Sequence, residues 1–259
     1  MVDRLANSEV NDRRISNVES CFGTSGQRLR VPGRVLVGEG VLVKVCRKDS
    51  KQRQFFLFND VLVYGSIVIS KKRYNKQHIL PIVHLKMEDL SDDGRLKNGW
   101  LIKSPSKSFA VYAATPLEKQ EWMMHIDSAI KNMQAGNTQG SPATAPVWIP
   151  DNDASKCMVC ERTQFNLIQR RHHCRNCGAV VCGGCSSHSY QLSSVGKRPV
   201  RVCDRCFNKL IAGKANNPNV GPPSDQLPAG EDDSESSGDS DQESEPAVQT
   251  TAPTFYPER

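Results

Sequence analysis

The chain of 259 residues is long enough for about two domains, and its formal charge of +6 is unevenly distributed. Residues 225–259 carry ten acidic side chains and one basic residue, which leaves the preceding part of the chain strongly basic. A basic body favours an anionic partner, either a nucleic acid or a phosphorylated membrane surface. The amino terminus lacks a signal-peptide core, and no run of about 18 apolar residues predicts a membrane-spanning helix. We therefore expect a soluble protein of the reducing cytosol, where its ten cysteines do not form disulfides and the eight that cluster between residues 157 and 206 bind metal.

The amino-terminal segment, residues 1–33, is polar and contains one run that is compatible with a helix. Between Asn7 and Cys21, the apolar residues Val10, Ile15 and Val18 lie within this run. This pattern leaves two interpretations open, a helix that docks on another surface or a disordered lead.

Residues 34–133 change to short apolar runs that are typical of β-strands. The runs lie at residues 35–37, 41–45, 55–58, 61–64, 67–69, 79–82, 100–102 and 109–112. Asn59 and Asp60 suit a two-residue hairpin turn between two of them. A helix is predicted from Pro116, because Thr115 and Glu118 can form a capping box and an apolar stripe follows at helical spacing. About seven strands and one amphipathic helix predict a small β-barrel that the helix plugs at one end.

This region resembles a pleckstrin-homology (PH) domain in its strand count, its terminal helix and Trp122. In PH domains that bind phosphoinositides, a basic loop after the first strand coordinates the phosphates. The matching positions in this chain are Lys44, Arg47, Lys48, Lys51 and Arg53. The resemblance therefore implies a lipid headgroup site, for a second phosphoinositide, at this loop. The alternative is an ordinary solvated turn.

Two segments have the composition of connecting or disordered chain. Residues 134–146 contain no large apolar side chain and predict a flexible linker to the next module. From residue 213 to residue 259, Pro, Gly, Ser and acidic residues dominate, which predicts a disordered acidic tail. We expect this tail either to aid solubility or to occupy the basic loop of the PH domain in competition with lipid.

Eight cysteines between residues 157 and 206 form four Cys-x2-Cys pairs, separated by 13, 4 and 17 residues. A tetrahedral zinc site takes four ligands, and each pair supplies two thiolates from one turn. The four-residue gap is too short for the two pairs beside it to share an ion, which favours interleaving. The predicted ligand sets are Cys157, Cys160, Cys182 and Cys185 for the first zinc, and Cys174, Cys177, Cys203 and Cys206 for the second. Neither site keeps an open position for water, so we expect two structural Zn²⁺ ions.

Three short motifs accompany these cysteines: Trp148-x-x-Asp151, Arg170-Arg171-His172-His173-Cys174-Arg175 and Arg201-Val202-Cys203. Together they make residues 147–212 resemble a FYVE zinc finger. The resemblance implies that Arg175 and Arg201 bind the 3-phosphate of phosphatidylinositol 3-phosphate and that Arg171 lies near its 1-phosphate. It also implies that His173 and Asp151 meet ring hydroxyls, and Arg170 and His172 complete the basic headgroup motif. We expect Asp151 to repel headgroups with an added 4- or 5-phosphate.

Leu167 and Ile168 lie just before the basic motif. In similar fingers an apolar loop at this point inserts into the bilayer, which implies the same role here. The alternative is that both side chains pack in the small core of the finger.

A PH domain followed by a FYVE finger, after the opening Met-Val-Asp-Arg-Leu-Ala-Asn-Ser-Glu, resembles the Phafin family. The resemblance implies a non-enzymatic adaptor of the cytoplasm and the early endosome membrane. It also implies roles in endosomal trafficking or fusion and in autophagy or lysosomal targeting, with unidentified trafficking proteins as partners and no nucleic acid. A RING-like ubiquitin ligase and a nucleic-acid-binding finger are the alternatives, but a RING usually has His among its zinc ligands. No Ser/His/Asp or Cys/His grouping is free of metal ligation, which argues against an enzyme.

Overall fold

The computed structural model describes residues 9–69, 72–92, 96–135, 144–192, 195, 198–214 and 252–256. Its first part contains a helix α1 (Glu9–Phe22), seven strands, and a helix α2 (Pro116–Gln134). A small finger follows. No helix in these ranges is long and apolar enough to cross a membrane.

Seven consecutive strands form one antiparallel sheet of PH type. They are β1 (Leu36–Val45), β2 (Ser50–Phe58), β3 (Val61–Ile69), β4 (Arg73–Pro81), β5 (Lys86–Asp89), β6 (Gly99–Lys103) and β7 (Ser108–Tyr112), in the spatial order β4-β3-β2-β1-β7-β6-β5. The hairpin turn at Asn59 and Asp60 is confirmed. Two pairs of predicted runs are each a single strand, because β1 continues through a register shift near Gly38 and β3 continues through Gly65. Strand β5 was not predicted.

Helix α1 packs on the outer face of the sheet. Ile15 and Phe22 are almost fully buried there, in a core that includes Phe56 and Phe58 of β2. The side-chain amide of Asn11 accepts a hydrogen bond from Leu36 N–H (3.1 Å) and donates one to the carbonyl of residue 34 (2.8 Å). The docked-helix interpretation therefore agrees with the structure, and residues 9–33 belong to the PH body rather than to a separate segment.

Helix α2 closes the inside of the barrel. Thr115 caps it by accepting a hydrogen bond from Glu118 N–H (3.2 Å), and the Glu118 carboxylate accepts one from Ala114 N–H (3.1 Å). Trp122 and Ile126 are fully buried against the inner side chains of the strands. The predicted barrel with a helical plug is confirmed.

The last described residues, 252–256, form a further short strand, β12 (Thr254–Phe255). It pairs antiparallel with β1 at Gly38 and Glu39. The prediction of disorder up to residue 259 is therefore wrong for residues 252–256, because their aromatic side chains pack against the barrel. The rest of the acidic tail, and with it the proposed competition with lipid, lies outside the described residues.

Close packing explains why β12 can reach the barrel. A Cβ atom at Gly38 would lie 2.3 Å from the ring of Phe255, so a larger residue would block the approach. Phe255 lies 5.2 Å from Trp122 and stacks on His125 at 4.2 Å between ring centroids. On the other side, the Tyr256 hydroxyl donates a hydrogen bond to Glu39 (2.5 Å) and the ring lies 3.8 Å below the Arg14 guanidinium. Burial and the Glu39 carboxylate raise the pKa of Tyr256.

The finger consists of two short hairpins and one helix. Strand β8 (His172–His173) pairs with β9 (Val180–Val181), β10 (His188–Tyr190) pairs with β11 (Val200–Val202), and helix α3 (Asp204–Lys214) follows. Its buried core is small and combines five cysteines with a few apolar side chains. Such a core needs metal to be stable.

The finger is attached to the barrel by more than the chain connection. Ala145 N–H donates a hydrogen bond to the Ser104 carbonyl (2.8 Å), and the Ser108 hydroxyl donates one to the Ala145 carbonyl (2.5 Å). Prediction of a flexible linker over residues 134–146 is therefore wrong for residues 144–146, which the hairpin of β6 and β7 holds in place. Residues 136–143 of this predicted linker lie outside the described residues.

Candidate headgroup site and zinc centres

The eight cysteine sulfurs of the finger form two clusters. In each cluster all four atoms lie within 4.8 Å of one another. The clusters are Cys157, Cys160, Cys182 and Cys185, and Cys174, Cys177, Cys203 and Cys206, so the interleaved pairing is confirmed. Backbone N–H groups of Cys182 and Cys203 donate to the sulfurs of Cys157 (3.3 Å) and Cys174 (3.2 Å), which stabilises thiolates. Four thiolates at this spacing fit a closed tetrahedral site, and the chain thus holds two structural Zn²⁺ ions.

The second zinc cluster brings together the two arginines that the sequence assigned to the 3-phosphate. Arg175 follows Cys174, and Arg201 lies two residues before Cys203 in β11. The Arg175 N–H donates a hydrogen bond to the Arg201 carbonyl (2.9 Å). The Arg201 guanidinium donates to the Ser186 carbonyl (2.8 Å), which fixes its direction. The metal cluster therefore holds both residues in place before any ligand binds.

Trp148 lies beside this arginine pair, although the sequence named it as part of a motif and not as a site residue. The Arg175 guanidinium lies 4.2 Å from the centre of the indole, in a cation–π contact. The His173 ring stacks on the same indole at 4.8 Å, with 14° between the planes. Trp148 thus orients one cationic and one imidazole side chain of the predicted site.

Asp151 and His173 supply an anionic and an uncharged contact, respectively. His173 is buried, and its Nε2 lies 2.9 Å from the Ile149 carbonyl, so that nitrogen carries the proton. Burial lowers the pKa of His173 and favours the neutral ring. Asp151 Oδ1 lies 3.7 Å from His173 Nε2 and is buried without a hydrogen-bond partner among the described residues. This oxygen is available to accept a hydrogen bond from a ligand hydroxyl.

The remaining residues of the basic motif precede His173 in the chain, and of these only His172 lies in β8. Arg171 donates from Nε to the Ala154 carbonyl (3.2 Å) and stacks on Phe165 at 5.0 Å. Arg170 is exposed, and His172 is half-buried near Gly183. Asp151, His173, Arg175 and Arg201 thus form the compact part of the site, while Arg170 lies nearer the loop of Leu167 and Ile168.

Leu167 and Ile168 point into solvent, with 96% and 87% of their surface exposed. The Asn166 carboxamide shapes this loop by accepting hydrogen bonds from the N–H groups of Ile168 (2.9 Å) and Gln169 (2.8 Å). The alternative that both apolar residues pack in the finger core is therefore wrong.

Three of the five basic residues assigned to the PH domain share the inner face of the sheet next to the turn between β1 and β2. The register pairs Lys44 with Lys51 and Leu42 with Arg53, so these side chains lie on the inner face with the core. Lys44 Nζ lies 4.7 Å from the Phe109 ring. Arg53 is 3% exposed, and its guanidinium donates to the carbonyl of residue 52 (2.8 Å).

Two further basic residues lie near this face and were missed in the sequence. Lys107 Nζ lies 3.4 Å from His78 Nδ1, and the centres of the His78 and Tyr64 rings are 4.7 Å apart, with the ring planes tilted by 35°. They come from β4 and from the turn between β6 and β7. Their proximity depends on how the barrel closes, so no local pattern in the sequence indicates it.

Arg47 and Lys48 lie in the turn after β1 and contact the finger. The backbone carbonyls of Arg47 and Lys48 accept hydrogen bonds from Asp151 N–H (2.7 Å) and from the Asn152 side chain (2.8 Å). Arg47 Nε also lies 3.5 Å from Asp151 Oδ2. Assignment of Arg47 to the PH site alone therefore needs correction, because the finger docks against this turn and places Asp151 beside it.

Comparison with known proteins agrees with this architecture. Residues 147–212 match the FYVE zinc finger family, and residues 29–129 match the SOS1/NGEF-like PH domain family. An uncharacterized protein of Caenorhabditis elegans is 58% identical over 259 residues, which cover 100% of this chain and 97% of that protein.

Two human proteins are also similar along most of the chain. Pleckstrin homology domain-containing family F member 2 is 58% identical over 82% of this chain and 86% of its own length. Member 1 is 51% identical over 82% of this chain and 76% of its own length. Fold, paired zinc clusters and relatives agree, and the chain therefore belongs to the Phafin family of non-enzymatic, phosphoinositide-binding adaptors in membrane trafficking.

Proposed function

We propose that this protein binds phosphatidylinositol 3-phosphate on the cytosolic face of early endosomes and acts there as a peripheral adaptor. One observation carries the proposal: the second cysteine cluster and Trp148 hold Arg175, Arg201 and His173 together, and Asp151 lies beside His173. On this basis the protein regulates endosomal trafficking or fusion and also takes part in autophagy or lysosomal targeting. Its trafficking partners are proteins still to be identified.

The chemistry of the four groups suits a monophosphorylated inositol ring. A phosphomonoester needs several positively charged donors, and a guanidinium presents a fixed set of them. Holding Arg175 and Arg201 beside metal ligands lowers the ordering cost of binding. Asp151 Oδ1 accepts from a ring hydroxyl, and its charge disfavours a phosphate at that hydroxyl.

The PH domain supplies a second headgroup site in this proposal. Lys44, Lys51 and Arg53 share the inner face of β1 and β2 next to their turn, with Lys107 and His78 nearby. Two sites on one chain raise the apparent affinity for a membrane when both reach it together. Contacts of residues 144–152 with the barrel keep the two sites close, which favours simultaneous binding.

A vesicle-binding experiment tests the proposal. Arg175→Ala removes a charge-assisted contact to the 3-phosphate, worth about 1.5–3 kcal/mol, and should weaken binding to vesicles with phosphatidylinositol 3-phosphate at least about tenfold. Lys209→Ala is the matched control, because Lys209 is an exposed cation on α3. Sedimentation with neutral vesicles and with each monophosphorylated phosphoinositide completes the panel. Equal binding of the wild-type protein to neutral vesicles and to the 3-phosphate lipid would contradict the proposal.

A further inference from the structure

The turn of the PH domain that carries Arg47 lies directly against the headgroup site of the finger. Arg47 Nε is 3.5 Å from Asp151 Oδ2, and the two side chains are 30% and 17% exposed. The Asp151 backbone N–H also donates to the Arg47 carbonyl (2.7 Å). Asn152 extends this contact by donating to the Lys48 carbonyl (2.8 Å). Asp151 is therefore positioned by the PH domain as well as by its own finger.

Asp151 makes two different kinds of contact with its two carboxylate oxygens. Oδ2 faces the guanidinium of Arg47, while Oδ1 is buried near His173 without a hydrogen-bond partner among the described residues. A positive charge this close offsets part of the field of the carboxylate at any neighbouring ligand atom. Partial burial of both side chains reduces screening by solvent and salt.

We propose that Arg47 is a specificity-determining residue of the finger, supplied by the other domain. By offsetting the charge of Asp151, Arg47 lowers the repulsion between that carboxylate and an additional phosphate on the inositol ring. The pair thereby sets how strongly the finger rejects a 3,5-bisphosphorylated headgroup relative to a 3-phosphorylated one. This inference rests on the proposed function, because it concerns the same headgroup site.

A double-mutant cycle on the full chain tests this role. The variants are Arg47→Gln, Asp151→Asn and the two together, and the readout is the ratio of dissociation constants for two vesicle preparations. One preparation contains phosphatidylinositol 3-phosphate and the other contains phosphatidylinositol 3,5-bisphosphate at the same mole fraction. Arg47→Gln should raise the preference for the monophosphate by about twofold to fivefold, the range expected for a partly exposed ion pair. Asp151→Asn should lower it.

Loss of any cation weakens binding to a more highly charged membrane, so a charge-matched control is essential. Lys48→Gln removes the same charge from the same turn, while the contact of Lys48 with Asn152 uses its backbone carbonyl. The preference of Lys48→Gln should therefore shift less than that of Arg47→Gln. In the Asp151→Asn background, Arg47→Gln should have no larger effect than Lys48→Gln.

The outcomes separate this inference from the function on which it rests. Equal shifts for Arg47→Gln and Lys48→Gln, or an Arg47→Gln shift that persists unchanged in Asp151→Asn, would overturn the specificity role while leaving lipid binding intact. Failure of the wild-type chain to bind vesicles with the 3-phosphate lipid would overturn the proposed function itself. Circular dichroism and zinc content of each variant establish that its fold is retained.

Discussion

Leu167 and Ile168 form an exposed apolar tip beside the proposed headgroup site. Both side chains are almost completely exposed, and the basic residues Arg170 and Arg171 follow within the next few positions. Removing one large aliphatic side chain from water contributes about 1.5–3 kcal/mol. A membrane offers an apolar phase to the tip and anionic groups to the arginines at the same time.

The tip should therefore strengthen binding to membranes but not binding to the isolated headgroup. Leu167→Ala with Ile168→Ala should weaken vesicle binding at least about tenfold, because most of the inserted apolar surface is lost. Binding of soluble inositol 1,3-bisphosphate, measured by calorimetry, should change little. Ile211→Ala, which shortens an exposed apolar residue on α3, provides the control. Equal losses for vesicles and for the soluble headgroup would mean that the tip supports the site rather than the membrane contact.

At the scale of residues, the sequence was informative where motif and metal ligand are adjacent. Arg175 and Arg201 lie within two residues of cysteines that the spacing favours as ligands of one ion, so their proximity could be predicted. Arg47 could not be placed in the same way, because its contact with Asp151 depends on how two domains dock. For Trp148, the motif indicated that the residue belongs to the finger, but the structure was needed to show its contacts with Arg175 and His173.

At the scale of elements, β2 explains why α1 belongs to the PH body. Phe55 and Leu57 point into the barrel, whereas Phe56 and Phe58 point to the opposite face. Four consecutive apolar residues indicate a strand that is buried on both faces. Helix α1 covers the outer face, and Ile15 is 1% exposed in that contact. The apolar run in β2 therefore contained a signal for the packed helix that the polar composition of residues 1–33 obscured.

Shortening Ile15 should destabilise the PH body. Ile15→Ala deletes buried methyl and methylene groups and should lower the free energy of unfolding by about 2–5 kcal/mol. Urea unfolding followed by tryptophan fluorescence measures this change. Val10→Ala, at a position that is 57% exposed on the same helix, should cost much less. Similar values for the two variants would show that α1 contributes little to the stability of the body.

The zinc clusters are an element whose arrangement the sequence indicated correctly. The four-residue gap argues against a shared ion for the second and third Cys-x2-Cys pairs and favours interleaving, and the structure decides between the interleaved and the sequential arrangement. The topology of the finger then follows, since the second and third pairs belong to different sites.

One substitution tests that separation. Cys157→Ser should reduce the bound zinc from two ions to one per chain, or unfold the finger, because the first cluster loses a fully buried thiolate. Native mass spectrometry counts the ions. Cys21→Ser, outside both clusters, should retain two. Retention of both ions by Cys157→Ser would contradict the assigned ligand set.

At the scale of the whole molecule, the described end of the chain returns to the barrel and helps to complete it. Strand β12 pairs with β1 next to the position where β7 ends, and Phe255 packs against Trp122. The composition did not indicate this contact, because the segment is only five residues long and follows a long polar stretch. Its two aromatic side chains are too few to change the average composition of the tail. Residues 252–256 pack in a groove that no side chain fills, because Gly38 and Gly40 lie at its base.

Phe255→Ala should lower the free energy of unfolding of the PH body by about 1–2 kcal/mol, since the side chain is half-buried rather than fully enclosed. Thr254→Ala, at an exposed position in the same strand, is the control. Thermal and urea unfolding of the full chain measure both. An unchanged midpoint for Phe255→Ala would show that β12 is not required for a stable barrel.

The contact between Arg14 and Tyr256 brings the first helix and the final strand of the chain to one point on the surface. A change that loosens β12 should therefore also remove one contact of α1, although the two segments lie far apart in the sequence. Amide hydrogen exchange should show α1 and β12 opening together more often in such a variant.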